Sequence, residues 1–480
     1  MRTAYDVQTV RAAERALLDR LPEGELMRRA ATGLAVVCAE VLGRVYGTRV
    51  VLLVGSGDNG GDALYAGAAL ARRGAGVTAL LLSPERAHPG GLAALRAAGA
   101  AAAPVGDADT ATALIARADL VVDGIVGIGG SGGLRPAAVP LAEAAAASRA
   151  AVVAVDLPSG VDADSGRVRG AAVRADVTVT FGTHKPGLLI DPAREYAGVV
   201  RLVEIGLALP VPPLLEAAQH ADIAALLPRP SAESDKYRRG VVGIVAGSER
   251  YPGAAVLCVA GAQHGGAGAV RYAGHAADAV VSRFPETLVS QGPPAKAGRV
   301  QAWVVGPGLG DDAAAVEEVL AQSVPVLVDA DALRLAPVGA VRARSAPTLL
   351  TPHAGEAAAL LNTAREEVEA ARLDAVRELA ARYGATALLK GSTTLVADEG
   401  AAVRVNPTGT PWLATAGSGD VLSGVTGSLL AAGLDARDAA TVGAYLHGLA
   451  ARETADAAPI GALAVAAGLR AAWRGVAAGE

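Results

Sequence analysis

The segment ATAGSGDVLSGVTGSLLAAG, residues 414–433, carries the clearest structural signal in this chain. A glycine-rich turn leads directly into an apolar segment with helical character, so the free amides of residues 417–420 are expected to form a pocket for an anion. Asp420 stands at the start of this predicted helix, where its carboxylate can take a proton from a hydroxyl group. A capping role is the alternative, because aspartate is common at helix N termini. The preceding Gly-Ser-Gly favours a functional aspartate.

Other polar loops in the second half of the chain each follow a predicted strand. KGSTT (390–394) offers a lysine, backbone amides and hydroxyls that suit a nucleotide phosphate, and Lys390 is one of only 4 lysines beside 39 arginines. The remaining loops of this set are VVGPGLG (304–310), VDADAL (328–333), LLTPHAGE (349–356) and AGSERYPGAAVLCVAGAQHGGAG (246–268). Because ligands in open α/β sheets sit outside the carboxyl ends of the strands, these loops are expected to line one site.

The first half of the chain has a similar set of loops. VGSGDNGGD (54–62) lies between a strand and an alanine-rich helix, where glycines permit a tight turn and the helix start favours an anion such as pyrophosphate. Asp123 ends another strand and leads into GIVGIGGSGGL (124–134), and VDLPSGVDADSG (155–166) places Asp156 at the mouth of a third. Each loop alone could be a solvated turn. Together they predict one polar ligand site, with Asp156 as an acid/base group.

The whole chain alternates apolar, β-branched runs with longer alanine- and leucine-rich segments, which predicts α/β domains with buried parallel strands covered by helices. Strands are expected near 49–54, 77–82, 119–122, 151–155, 176–181, 199–203, 240–246, 302–305, 325–328, 347–350 and 386–389. Helices are expected near 6–19, 24–46, 314–322, 365–383, 420–432 and 437–455. Residues 206–240 hold the densest proline cluster, and proline interrupts regular structure. We therefore expect two domains, 1–217 and 218–480.

The composition excludes several classes of protein. Hydrophobic residues make up 52% of the 480 residues but aromatic residues only 3%, and the formal net charge is −5. Nucleic acid is therefore not an expected partner, because it calls for a basic face and aromatic stacking. The uncharged run 251–270 predicts a loop and a buried helix rather than a membrane span. With no signal-peptide pattern and only Cys38 and Cys258, both in apolar contexts, the sequence favours a cytoplasmic protein without a membrane partner.

The first-half motifs resemble those of the NAD(P)HX epimerase family, often called the YjeF N-terminal domain, over most of residues 1–210. The resemblance implies a Rossmann-like three-layer α/β/α domain that binds a dinucleotide with a hydrated nicotinamide ring. It also implies a potassium ion (K⁺) held by Asn59, Asp123 and Ser159, whose hard oxygen donors suit such an ion, and a catalytic role for Asp156. The implied substrate-binding residues are Asp58, Asn59, Gly60, Gly61, Asp62, Gly127, Ile128, Gly129, Gly130, Ser131, Gly132, Gly133 and Asp156. Asp58 and Ala63 depart from the family's usual asparagine and glycine.

The second-half motifs, in their order over residues 230–475, resemble the ribokinase-like phosphotransferases and, among them, the ADP/ATP-dependent NAD(P)HX dehydratases. The resemblance implies a ribokinase-like α/β domain in which Asp420 is the catalytic base. Substrate-binding residues would be Ala255, Gly310, His353 and Asp420, and the adenine nucleotide would contact Lys390, Gly391, Ser392, Thr393, Thr394 and Gly419. Outside such a motif, His353 would be read as a packed or turn histidine. Ser418 and Asp235 depart from the family pattern.

Together the resemblances imply a bifunctional metabolite-repair enzyme with small-molecule substrates. The first domain would interconvert the R and S hydrates of NADH or NADPH. The second would use ADP or ATP, with Mg²⁺, to phosphorylate the S hydrate, and loss of phosphate would restore NAD(P)H. Fusion of the two domains favours ADP, and the low charge permits a homo-oligomer. One alternative is a small-molecule kinase fused to a nucleotide-binding regulator, which would release a stable phosphorylated product. Another is a non-catalytic scaffold, against which the intact set of potassium ligands speaks.

Overall fold

The structure, a computed structural model, describes residues 1–106, 108–130, 132–210, 212–290 and 292–479. It divides into two compact units, Thr3–Leu214 and Met1–Arg2 with Leu215–Glu480. The sequence placed the boundary at residue 217. In the structure Leu215–Ala217 is a strand that pairs in parallel with residues 403–405 of the second unit. Three residues beside a proline cluster are too short a run for the sequence pattern to reveal.

The first unit is built on a parallel sheet. In chain order up to residue 214, the elements are β1 (Arg2–Ala4), α1 (Val7–Leu18), α2 (Glu25–Leu42), β2 (Arg49–Val54), α3 (Asp58–Arg72), β3 (Gly76–Leu81), α4 (Pro89–Ala97), β4 (Ala101–Pro104), α5 (Ala108–Ala116), β5 (Leu120–Gly124), α6 (Val139–Ala147), β6 (Ala151–Val155), β7 (Val177–Phe181), α7 (Arg194–Ala197) and β8 (Val199–Val203). The sheet order is β4-β3-β2-β5-β6-β7-β8, and these neighbours run parallel.

Both faces of this sheet are buried. Along β2, Val50 and Leu52 join one core cluster with residues of α2, α3 and α4, whereas Val51 and Leu53 join another with residues of α5 and α6. This alternation is the pattern of a three-layer α/β/α unit, because successive side chains of a strand point to opposite faces. The expected Rossmann-like layering is confirmed. Strand β4 was not predicted, because its alanines and its proline have little preference for strands and it lies at the sheet edge.

The second unit contains a longer sheet. Its elements are β9 (Leu215–Ala217), α8 (His220–Leu226), β10 (Val241–Val245), α9 (Pro252–His264), β11 (Ala269–Ala273), α10 (Ala277–Arg283), β12 (Leu288–Ser290), β13 (Ala302–Val305), α11 (Ala313–Leu320), β14 (Val326–Val328), α12 (Asp331–Leu335), α13 (Val338–Arg342), β15 (Thr348–Leu350), α14 (Ala354–Leu361), α15 (Arg365–Ala370), α16 (Arg372–Tyr383), β16 (Thr386–Leu389), β17 (Thr394–Ala397), β18 (Val403–Asn406), α17 (Ser418–Ala431), α18 (Ala436–Ala455) and α19 (Ala462–Ala478).

From β9 onwards, the strand order in this sheet is β9-β18-β17-β16-β15-β14-β13-β10-β11-β12, and among these strands only β17 runs antiparallel to its neighbours. The helix expected over 365–383 is two helices, because the backbone turns out of the helical region at Ala371 (φ −134°, ψ 49°). Strands β11, β12, β17 and β18 were not predicted. Within the described ranges, no helix is both long and apolar enough to cross a bilayer.

The two cysteines are fully buried, one in each unit. Cys38 lies on α2 in the first unit and Cys258 on α9 in the second, both with 0% exposure and unoxidised. Burial raises the pKa of the Cys38 thiol to about 12 and that of the Cys258 thiol well above its ordinary value. The expectation that both act as buried apolar residues is confirmed.

Helices α9 and α17 pack backbone against backbone through glycines. A Cβ atom at Gly424 would lie 2.0 Å from the carbonyl oxygen of Cys258, and one at Gly261 would lie 2.2 Å from that of Val421. Both distances are far below any real carbon–oxygen contact, so neither position admits a larger residue. This close approach holds α17, the helix that follows the glycine-rich turn, tightly against α9.

We expect Gly424→Ala to lower the free energy of unfolding of the second unit by about 1–3 kcal/mol, as overpacking does. The loss should occur although alanine is the better helix former. Gly253, on the exposed face of α9, has open space around its Cα, so Gly253→Ala serves as the matched control and should be neutral or stabilising. Urea titrations of both variants test this. Equal stabilities would contradict the packing argument.

Candidate active sites

The second-unit site is organised around the start of α17. This helix begins at Ser418, directly after Gly417, whose φ of 86° lies in the left-handed region that glycine tolerates best. The first-turn amides of an α-helix have no partner inside the helix and attract anions. The predicted glycine turn does lead into a helix, and Asp420 lies in its first turn; that the amides of residues 417–420 bind an anion stays a prediction.

Lys390 lies beside this helix start. A Cβ atom at Gly419 would be 3.5 Å from Lys390 Nζ. The ammonium donates to Asp329 Oδ1 at 2.7 Å, and Glu356 Oε2 lies 3.7 Å away. Asp329 is 1% exposed, and its Oδ2 accepts a hydrogen bond from Ser423 Oγ at 2.6 Å. A lysine held this firmly is a fixed positive charge next to the anion pocket.

The surroundings of Asp420 raise the pKa of its carboxyl group. Burial and the Asp329 carboxylate raise its pKa to about 7, although Lys390 opposes the shift. At the α17 N terminus no side-chain capping bond is formed among the described residues, so the capping alternative finds no support. For Lys390, burial alone would lower the pKa, but Asp329 and Glu356 outweigh it and the pKa lies above its usual value. The ammonium therefore remains charged.

The remaining predicted substrate positions of this unit differ in exposure. Ala255 is fully buried on α9, and Gly310 donates its amide to Asp331 Oδ2 at 2.8 Å. His353 caps α14, because its Nδ1 accepts hydrogen bonds from the Gly355 and Glu356 amides at 3.0 and 3.1 Å. The turn-histidine alternative thus describes its local contacts, yet the side chain is 58% exposed and can still reach a ligand.

The KGSTT loop is held in place by hydrogen bonds from Arg372 to its backbone carbonyls. This buried guanidinium, 6% exposed, donates to the carbonyls of Lys390 and Thr393, at 3.1 Å each. Thr393 and Thr394 are themselves buried, and Thr394 Oγ1 donates to the Gly391 carbonyl at 3.2 Å. Gly391 and Ser392 remain accessible. The loop therefore offers mainly backbone and the lysine to a ligand.

In the first unit, the predicted loops surround a cavity of 1490 Å³. The sequence-predicted residues that line it are Asp58, Asn59, Asp62, Gly127, Ile128, Gly129 and Asp156. Its wall also holds several positively charged side chains, namely Arg11, Arg15, Arg28, Arg72, Arg86 and Arg135. The cavity thus combines carboxylates at one set of strand ends with cationic groups that suit phosphates.

Five other predicted residues of this unit are not among the described residues that line the cavity: Gly60, Gly61, Gly130, Gly132 and Gly133. Gly60 is buried, and a Cβ there would lie 2.5 Å from the Gly55 carbonyl oxygen. Gly61 packs against His88 and Met27, and Gly133 approaches the carbonyl of Arg169. Ser131 lies outside the described residues.

Asp123 and Ser159 form a buried pair beneath the loop that follows β5. Both are 0% exposed, and the Ser159 amide and hydroxyl donate to the Asp123 carboxylate at 2.8 and 2.7 Å. Burial raises the pKa of Asp123 to about 6, against these hydrogen bonds. Asn59 lies against the same loop, because a Cβ at Gly127 would lie 2.7 Å from Asn59 Oδ1.

Asp156 is paired with a lysine that the sequence did not assign to the site. Lys185 Nζ donates to Asp156 Oδ1 at 2.5 Å, and the same oxygen accepts from Thr180 Oγ1 at 3.1 Å. Asp156 follows β6 with a φ of 64°, a conformation rare for residues other than glycine. Only the scarcity of lysine in this chain signalled Lys185 in advance.

Two further polar groups in this cavity have no partner. Asn59 Nδ2 and Asp62 Oδ1 are buried and form no hydrogen bond with any residue that the structure describes. Burial, followed by the carboxylates of Asp156, Asp58 and Glu14, raises the pKa of Asp62 well above its usual value. Unpaired buried polar atoms are costly, so their presence on a cavity wall indicates a ligand contact.

The fold and the two sites define an enzyme class. A Rossmann-like unit, whose 1490 Å³ cavity is lined by Asp156 and by both arginine and acidic side chains, is joined to a ribokinase-like unit with Asp420 in the first turn of α17. Both units match family models. Residues 23–187 match YjeF-related protein N-terminus, and residues 242–468 match NAD(P)H-hydrate dehydratase.

Full-length relatives show the same combination. The chain is 50% identical over 469 residues to the bifunctional NAD(P)H-hydrate repair enzyme Nnr of Mycobacterium leprae, with 96% of each chain covered. It is 37% identical to the enzyme of that name from Corynebacterium glutamicum, covering 90% of this chain and 87% of the relative. ADP/ATP-dependent NAD(P)H-hydrate dehydratase from Bacillus subtilis, co-crystallised with ATP and Mg²⁺, matches 54% of this chain and 97% of its own at 29% identity (TM-score 0.50). The chain belongs to the family of bifunctional NAD(P)H-hydrate repair enzymes.

Proposed function

We propose that this chain repairs hydrated NADH and NADPH, with one step in each unit. The first unit interconverts the R and S hydrates, and the second dehydrates the S hydrate at the expense of ADP or ATP. One shared observation carries the proposal. In each unit an aspartate lies near a lysine: Asp156, directly after β6, pairs with Lys185, and Asp420 lies in the first turn of α17, whose start approaches Lys390.

Epimerisation can proceed through Asp156 alone. Water adds to the reduced ring so that the hydroxyl sits on the carbon next to the ring nitrogen. Asp156 Oδ2 takes the hydroxyl proton, the oxygen electrons form a carbonyl, and the bond from this carbon to nitrogen breaks. The aspartate then returns the proton to the nitrogen. Ring closure on either face of the carbonyl gives either epimer, with no other reactant.

Potassium fits the group formed by Asn59, Asp123 and Ser159. The Asp123 carboxylate is fully buried, and its hydrogen-bond donors, the Ser159 hydroxyl and amide and the Ile125 amide, are all neutral. A buried charge compensated only by neutral donors favours a monovalent cation. Such an ion would supply positive charge beneath the ligand, and it would order the loop after β5.

In the second unit, Asp420 takes the proton of the ring hydroxyl as this oxygen attacks the terminal phosphorus of the nucleotide. The bond from this phosphorus to the bridging oxygen breaks, which releases AMP from ADP or ADP from ATP. The amides at the start of α17 receive the charge of the transferred phosphate. Phosphate then leaves the ring carbon, and loss of a neighbouring proton restores the double bond of NAD(P)H. In the described residues, no cluster of three His, Cys, Asp or Glu side chains forms a metal site. Mg²⁺ would be held chiefly by the nucleotide phosphates, with the carboxylates of Asp420 and Glu356 available to it, and it would supply positive charge to the transferred phosphate.

The direct test supplies purified protein with a mixture of the R and S hydrates of NADH, with ADP or ATP, and follows the recovery of reduced-nicotinamide absorbance. Complete recovery supports both activities. Recovery of the S portion alone would remove the epimerase half of the proposal. A stable phosphorylated product instead of NADH would point to a kinase. Comparing ADP with ATP in the same assay tests the preference for ADP.

The proposed location is the cytoplasm. The two buried cysteines are unoxidised, which suits a reducing compartment.

We expect each unit to work alone when the chain is divided at 214/215, where the compact units separate. A fragment of residues 1–214 should epimerise, and a fragment of residues 215–480 should dehydrate only the S hydrate. Mixed together, the fragments should consume both epimers, because the hydrates diffuse freely. The measurement is activity of soluble, monodisperse fragments. A second fragment that consumed both epimers unaided would refute this division of labour.

A further inference from the structure

We propose that Lys185 is a positioning residue for epimerisation, which orients Asp156 so that a single carboxylate oxygen faces the substrate. This inference rests on the proposed function of the first unit. Lys185 is 1% exposed and donates to Asp156 Oδ1 at 2.5 Å, to Thr180 Oγ1 at 3.0 Å and to the Phe181 carbonyl at 3.1 Å. All three hydrogens of the ammonium are therefore used, and none is left for a ligand.

The two oxygens of Asp156 have different surroundings. Oδ1 accepts from Lys185, from Thr180 Oγ1 and, at 3.4 Å, from the Phe181 amide. Oδ2 accepts no hydrogen bond from the described residues, and Asp156 lines the cavity. A Cβ at Gly127 would lie 3.4 Å from this oxygen, which places it at the loop that forms the cavity wall. The geometry assigns proton transfer to Oδ2.

A purely structural role explains the lysine poorly. A buried ion pair costs desolvation, and well-packed apolar residues often stabilise a fold equally well. This chain also uses 39 arginines and 4 lysines, yet at this position it keeps a lysine. An ammonium can direct three hydrogens to three converging acceptors, whereas a planar guanidinium cannot occupy such a compact position. The position therefore requires the compact shape of an ammonium group as well as its positive charge.

The experiment compares two full-length variants, Lys185→Met and Lys185→Ala, with the unaltered protein in epimerisation of the R hydrate. Lys185→Met should lower kcat about 100-fold, the lower end of the worth of a positioned acid/base group. KM should change little, because Lys185 does not contact substrate. A small primary amine such as ethylamine, added to Lys185→Ala, should restore part of kcat by supplying an ammonium to Asp156. Dehydration of pure S hydrate by the second unit should be unaffected.

Matched threonines on β7 keep the test decisive if the lysine variants do not fold. Thr180→Val removes one donor to Asp156 Oδ1 and should lower kcat at constant KM. Thr178→Val, on the same strand, removes a buried bond to the Ala197 carbonyl outside the site, and should leave epimerisation unchanged. Thermal unfolding of each variant reports the structural cost separately.

The outcomes separate cleanly. If the unaltered protein interconverts the epimers and Thr180→Val or Lys185→Met matches Thr178→Val in kcat, the positioning role is wrong while the proposed function stands. A raised KM with unchanged kcat would also overturn it, because it would make Lys185 a substrate contact. If the unaltered protein does not epimerise, the proposed function itself fails.

Discussion

Asp420→Asn should slow the nucleotide-dependent recovery of NAD(P)H from the S hydrate by about 10²- to 10⁴-fold, the usual worth of a positioned acid/base group. Asparagine has nearly the same shape but cannot accept the hydroxyl proton. The start of α17 should keep its structure, because Asp420 makes no capping bond in the described part of this helix. The rate is measured by reduced-nicotinamide absorbance with pure S hydrate and saturating ADP or ATP.

Asp435 supplies the matched control for this variant. It is also an aspartate at a helix start, but it caps α18 by accepting a hydrogen bond from the Asp438 amide at 2.7 Å. Asp435→Asn should retain activity, since asparagine caps helices equally well. Near-normal turnover by Asp420→Asn would remove the aspartate from its assigned role.

The same experiment has a pH dependence with a definite sign. The pKa of Asp420 is raised to about 7, so its basic form predominates only above that pH. We expect kcat/KM for dehydration to rise as the pH increases through about 7 and then to level off. In Asp420→Asn this rise should disappear from the residual activity.

Asp123→Ala should abolish potassium-dependent epimerisation while leaving dehydration of pure S hydrate intact. Even outer-shell partners of metal sites cost about 10- to 100-fold when lost, so a direct charged ligand should cost at least as much. The alanine also removes the acceptor for both Ser159 hydrogen bonds. Epimerisation is followed with potassium chloride and, in parallel, with choline chloride at equal ionic strength.

Asp119 lies just before the same strand and provides the control. Its carboxylate is exposed at the opposite end of β5, where it accepts from the Arg49 amide at 2.7 Å. Asp119→Ala should epimerise normally and respond normally to potassium. Epimerisation that proved indifferent to potassium and to Asp123→Ala would show that the proposed ligand set is wrong.

Much of the fold followed from sequence because its strands are buried and β-branched. The runs at 49–54, 302–305 and 386–389 were predicted at their observed positions. Strand β9 and strand β4 were missed for physical reasons. The first is three residues long and gains its stability from pairing with distant residues 403–405, and the second consists of alanine and proline at a sheet edge.

The candidate sites show the same division. Asp420 and the loop around Asn59 were predicted from the sequence, because a glycine-rich turn followed by a helix is recognisable from neighbouring residues alone. Lys185 and Arg372 act through partners distant in sequence, so no local motif assigned them. Asp329 lies in the predicted loop 328–333, but its contacts with Lys390 and Ser423 are also distant in sequence. Lys390 was noticed because lysine is rare here, and the same argument applied to Lys185 would have found the partner of Asp156.

Because each unit buries one cysteine, thiol labelling can report the opening of each unit separately. A thiol reagent can reach Cys38 only when the first unit opens and Cys258 only when the second does, since both are fully enclosed. Labelling followed by peptide mass spectrometry therefore gives an opening rate for each unit from one sample, without any added chromophore. Substrate hydrates should retard labelling at Cys38 and adenine nucleotides at Cys258, which reads ligand occupancy of the two halves independently.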